Sequence, residues 1–198
     1  MKKIIILSLF IVCGCQGIFL SPMQSDDIIY ILSPVEDFDN LKTVRRHLLV
    51  DIPKTSSGLE TKKIALIDDK REMSYFISAK WADDLPDMVH STILSSFENT
   101  RKIKVSEEVT MAANGYKLII RIRDFQVEYK DGMGRDSNPK TNVKIVYKIV
   151  KNNRILKTFI SQHTEIAEKN TLSAIVASFD KAFKRVQEDI IRDVFATI

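Results

Sequence analysis

Residues 116–129 read YKLIIRIRDFQVEY. In the first half, Leu118, Ile120 and Ile122 alternate with Lys117, Arg121 and Arg123, which is a strand with one apolar and one basic face. After Asp124 the apolar set becomes Phe125, Val127 and Tyr129, one position out of phase. Strand side chains alternate with period two, so such a slip turns the second set to the other face unless a residue bulges out. A bulge near Asp124 is therefore expected, inside one long strand.

Working outward, 143–150 (VKIVYKIV) and 155–162 (ILKTFISQ) flank Lys151-Asn152-Asn153-Arg154. Asparagine tolerates left-handed dihedrals, so this reads as a tight hairpin, with Val143, Ile145, Tyr147 and Ile149 on one face. Residues 63–67 (KIALI) and 73–77 (MSYFI) form a second hairpin through the charged turn Asp68-Asp69-Lys70-Arg71. Shorter strands are expected at Ile28–Leu32, ended by Ser33-Pro34, and at 47–52, stopped by Pro53. A helix is expected over 84–98, with Asp84 as cap, Pro86 in the first turn, and Leu85, Met88, Val89, Ile93, Leu94 and Phe97 as its apolar stripe. His90 lies off that stripe and reads as a surface histidine. The longest helix, about 171–196, carries Leu172, Ile175, Val176, Phe179, Ala182, Phe183, Val186, Ile190 and Val194 as one stripe. It would reach roughly 39 Å, enough to lie across a sheet. The expected fold is α+β, a mainly antiparallel sheet with both amphipathic helices on one face. Neither an internal repeat nor a low-complexity segment is visible.

The first 20 residues differ from the rest. Lys2 and Lys3 precede IIILSLFIV, the layout of a secretory signal. An uncleaved span is the rival, but reaching about 20 residues would draw in Cys13, Gly14, Cys15, Gln16 and Gly17. The chain carries 30 Lys and Arg against 26 Asp and Glu, net +4; loss of Lys2 and Lys3 leaves +2, which gives no case for nucleic acid. Cys13 and Cys15 are the only cysteines. A metal or redox pair lacks partners, and two inert cysteines at the end of an apolar run is the plain alternative. The third reading is a lipobox: Val12-Cys13-Gly14-Cys15 has an aliphatic residue three before the cysteine and glycine just before it. No A-x-A cleavage site lies nearby, which favours this reading. It resembles the bacterial lipobox, with Cys13 an unusual choice. Cys15 is then the lipidation site, 1–14 the signal peptide, and 15–27 a lipidated tether to a domain at 28–198. Gln16 in place of an aspartate resembles the arrangement that implies outer-membrane anchoring on the periplasmic face.

No catalytic constellation is visible. His47, His90 and His163 are far apart, no G-x-S-x-G occurs, and the G-x-G of Asp131–Asp136 does not open a helix. A calcium loop through Asp131, Asp136 and Asn138 is a minor alternative to an exposed hairpin loop there. Trp81, just before the first helix, reads as a core lid or as an interface anchor.

The Tyr30-Ile31-Leu32 strand, VDIPKTSSGLETKKIALID (50–68), SYFISAKWADDLP (74–86), SSFENTRKI (95–103), RDFQVEY (123–129) and AIVASFDKAF (174–183) together resemble the ABC-type transport auxiliary lipoproteins. The resemblance is strongest to PqiC-like members that accompany MCE-type lipid transporters. It implies a non-enzymatic lipoprotein that docks a periplasmic MCE-domain protein, served by an ABC ATPase and permease, at the outer membrane. No cofactor is implied, and a homo-oligomer is implied by the resemblance alone. Only Cys15 carries over as a family site residue. An activator of a cell-wall synthase or a lipopolysaccharide-assembly lipoprotein is the rival reading.

Overall fold

The computed structural model describes residues 27–38, 40–68, 71–107, 115–129 and 138–198. In chain order the elements are β1 (Ile28–Tyr30), β2 (His47–Val50), β3 (Lys63–Ile67), β4 (Met73–Trp81), α1 (Leu85–Thr100), β5 (Lys104–Ser106), β6 (Tyr116–Glu128), β7 (Lys140–Lys151), β8 (Arg154–Ile166) and α2 (Leu172–Thr197).

The opening stretch is β6, and it organises everything else. Its pairing with β7 shifts between Ile122 and Asp124: Ile122 faces Ile145, Asp124 faces Lys144, and Arg123 is the extra residue. The bulge restores the phase, so Leu118, Ile120, Ile122, Phe125 and Val127 are all buried. One edge of β6 is taken along its whole length by antiparallel β7, which pairs on to β8. The other edge is shared. β2 runs parallel to its start (Leu48 opposite Tyr116), Lys54 bridges Arg121, and β3 runs parallel to its end (Ala65 opposite Gln126). Between them the chain leaves the edge after Thr55 and pairs with it again from Ala65, with Leu59 turned into the core.

The α+β class holds, but the sheet is mixed and curled, not mainly antiparallel. Four of its seven pairings are parallel: β1 with β4, β2 with β5, β2 with β6, and β3 with β6. The reason is physical. Hairpin turns fix antiparallel direction locally, whereas these parallel neighbours are far apart in sequence and their direction is set by the path of the intervening chain. Alternation of apolar residues carries no information about that path.

The Asn152-Asn153 turn forms as expected, with φ of 48° and 61°, and Lys151 pairs with Arg154. α2 is capped by Thr171, whose hydroxyl accepts from the Ala174 amide at 3.4 Å. Asp84 sits at the N-cap of α1 but makes no side-chain cap bond; Pro86 occupies the first turn. β4 runs four residues past its expected end, and β5 is not marked by any apolar pattern in the sequence. The buried stripes of both helices join the buried strand faces in one core. Among the described residues no helix is long and apolar enough to cross a membrane.

The centre of that core is aromatic. Phe125 of β6 stacks on Phe179 of α2 at 5.1 Å between ring centroids, and Phe183 meets Phe125 edge-on at 5.7 Å. Replacing Phe179 with alanine is expected to lower stability by about 3–5 kcal/mol, read as a drop in the urea midpoint. A loss below about 1 kcal/mol would place the mechanical centre of the fold elsewhere.

Candidate functional site

Trp81 ends β4 opposite Tyr30 and is 1% exposed. Its ring meets Phe125 and Phe179 edge-on at 6.0 and 5.4 Å. Of the two roles its sequence position left open, the structure places it in the core-lid one; its side chain offers a partner no surface. Cys13, Cys15 and the Asp131–Asp136 loop lie outside the described residues. Asn138, at the end of that loop, donates to the Glu168 carbonyl at 3.2 Å.

His90 is buried, not at the surface as its position off the apolar stripe suggested. Its Nε2 donates to the Val50 carbonyl at 2.9 Å, tying α1 to β2. The physical reason is that β2 ends at Val50, leaving a carbonyl that needs a donor inside the fold. The two helices meet through a second polar seam. Ser96 donates to Gln187 Oε1 at 2.5 Å, and Gln187 Nε2 donates to the Ser33 carbonyl at 3.2 Å. The Val35 amide donates to Ser96 Oγ at 3.0 Å, and the Ser33 amide to Asp180 Oδ1 at 2.7 Å. Gln187, fully buried, sits in the α2 stripe and carries no sequence signal as a partner of residues near 33.

One cluster brings together the residue types of hydrolytic chemistry. Ser161 and His163 on β8 both reach Asp189 Oδ2 of α2 at 2.7 Å. The hydrogen-bond order is wrong for a nucleophile: serine donates to the carboxylate, and the imidazole nitrogen is spent on that same oxygen instead of facing the hydroxyl. The cluster clips β8 to α2. Next to it, Tyr147 donates to Asp193 Oδ2 at 2.5 Å. Burial first, then that hydrogen bond and the charges of Asp193 and Asp189, hold its phenol far above its usual range. Among the described residues no group of three His, Cys, Asp or Glu is placed to hold a metal ion.

Two concavities stand out among the described residues. A cleft of about 490 Å³ lies where β4 bulges away from β3; Leu66, Phe76, Tyr129 and Leu172 line it, with Ile77 at its rim almost fully exposed. A groove of about 550 Å³ lies at the opposite end of β6, between residues 43–47 and 101–104. The two segments are joined by the Val44 amide donating to the Lys102 carbonyl at 2.7 Å and by the pairing of His47 with Lys104. Val44 and Ile103 give the groove an apolar part, and Arg45, Arg46, Arg101, Lys102 and Lys104 surround it. Among the described residues no carboxylate lines it. Arg101 closes α1 in the left-handed region at φ 52°, where a residue with a Cβ costs roughly 1–2 kcal/mol relative to glycine. The sequence pattern did not single out this groove, because its cations come from two distant stretches.

Comparison with known proteins gives the chain a family. The model for the ABC-type transport auxiliary lipoprotein component matches residues 30–191, and the chain belongs to that family. A protein of Bradyrhizobium diazoefficiens is 26% identical over 157 residues, covering 76% of this chain; this chain spans only 40% of that relative's length. Among solved structures, a Xanthomonas campestris protein matches with a TM-score of 0.74 at 21% identity, over 85% of this chain and 95% of that one. A second crystal structure matches with a TM-score of 0.66 at 11% identity, over 85% and 99%. Both likenesses concern the fold.

Changing His90 to alanine is expected to strand the Val50 carbonyl and cost about 1–3 kcal/mol, measured by urea unfolding; no change would mean that water replaces the ring. A pH dependence follows from Tyr147. Its folded pKa lies above the unfolded value of 10.0, so its contribution is complete below pH 10 and is lost as pH rises above it, where only the unfolded chain ionises. The alkaline fall in stability should become shallower in Tyr147→Phe; Tyr129, raised by burial, supplies part of what remains.

Proposed function

We propose that the protein is a non-catalytic docking component of an MCE-type ABC transport system for phospholipids or other hydrophobic substrates. In this reading it is held by lipid on Cys15 at the periplasmic face of the outer membrane and receives the periplasmic MCE-domain protein, whose ATPase and permease lie in the inner membrane. The observation that carries the reading is the family match from the end of β1 to within α2, which takes in nearly all of the described strands and helices. Two further features support it. The Ser161, His163 and Asp189 cluster is wired as a structural clip, and two open concavities flank the ends of β6. The lipobox at Val12–Cys15 supports the anchor, and Gln16 the choice of membrane. A ring of several copies around the partner is part of the same proposal.

Cys15→Ala should move the protein out of the membrane fraction and abolish labelling by a radioactive fatty acid; unchanged labelling would sink the anchor. Affinity purification of the full chain from envelope extracts should bring down the MCE-domain protein. Recovery of a cell-wall synthase in its place would favour the rival reading.

A further inference from the structure

We infer that the basic groove between residues 43–47 and 101–104 is the docking site for an acidic segment of a partner protein. The inference rests on the docking reading above and specifies the chemistry of its contact. Five cations line the groove, and among the described residues no carboxylate lines it with them. On other faces some cations are matched: Lys80, Lys117, Lys140, Lys184, Arg185 and Arg192 each face a carboxylate, whereas others such as Arg121, Arg123 and Lys144 do not among the described residues. None of the five groove cations has an ion-pair partner among the described residues. Like charges crowded without counter-ions repel, and a ligand of opposite sign relieves them. One of them, Arg101, occupies a left-handed position that glycine would fill without strain, so a guanidinium is kept at the groove at a conformational cost.

Two observations favour an acidic protein segment over a lipid headgroup. The cations flank apolar Val44 and Ile103 on two paired backbone stretches, which suits an extended segment carrying both carboxylates and apolar side chains. The groove also lies far from where the chain enters the domain. β2 and β5 begin beside Tyr116 at the start of β6, whereas β1 begins opposite Ala79 of β4, level with the Phe125–Gln126 region. Eight to nine ladder steps separate these levels, about 26–30 Å. A tether leading into β1 therefore holds the other end of the domain, and the groove points away from that attachment.

The test uses the full lipoprotein in neutral dodecyl maltoside micelles and a fluorescein-labelled peptide that alternates aspartate with leucine. Fluorescence anisotropy should show binding that weakens about tenfold between about 50 and 300 mM salt. The triple change Arg45→Glu, Arg46→Glu, Lys104→Glu should weaken it about tenfold or more, while Lys169→Glu, outside the groove, should not. Circular dichroism checks the fold of the triple variant, and Arg45→Gln with Arg46→Gln provides a milder version expected to weaken binding severalfold. Equal binding of a peptide with asparagine for aspartate, or unchanged binding in the folded variants, would overturn the inference. So would groove-dependent binding of dihexanoylphosphatidylglycerol below its micelle concentration with no binding of the peptide. The two readings fail separately. If the MCE-domain protein never co-purifies with the unaltered chain, docking itself is wrong. If it co-purifies equally with the unaltered chain and the triple variant, docking stands and this groove is not its site.

Discussion

A strand that is to seat two strands on one edge and a third along the other must keep a single face buried over its full length, and β6 manages this only through Arg123. Without that extra residue, Leu118, Ile120 and Ile122 would point one way and Phe125 and Val127 the other. Phe125 could then not stack on Phe179, and Trp81 would lose one of the two rings it packs against. The seating of α2 on the sheet thus follows from one register shift. The shift also divides β6 into two halves, and β2 and β3 each run beside one of them.

What the sequence revealed follows the range of its physical signals. The hairpin at Asn152-Asn153, the bulge beside Asp124 and the long apolar stripe of α2 depend on neighbours a few residues apart, and all are present. Strand direction was misread because β2, β3 and β6 meet across long stretches of chain. β5 was missed because three residues, Lys104–Ser106, are too few to show alternation. His90 shows a different limit. A helical wheel sorts residues by polarity, but a polar side chain is drawn inside when an orphaned carbonyl such as that of Val50 waits there.

The surfaces were the least legible part. The lipobox reading of Cys15 draws on contiguous residues, whereas Arg45, Arg46, Arg101, Lys102 and Lys104 become one feature only after β2 and β5 pair. Trp81 drew attention as a large aromatic, and its size is spent on packing against two phenylalanines. Net charge misleads in the same way, since a nearly balanced total conceals a concentrated patch.

The seam around Ser33 has a mechanical consequence. Any pull on the chain before Asp27 reaches the domain first through β1, a three-residue strand whose bonds to β4 run across the direction of pull and so must share the load together. Behind it, Ser33 and Val35 are tied to Asp180, Ser96 and Gln187, on two different helices. Force that overcomes β1 is therefore handed to the whole core instead of unzipping the sheet strand by strand. The end of the domain at which the chain enters is thus the end where its two helices are tied to the incoming strand.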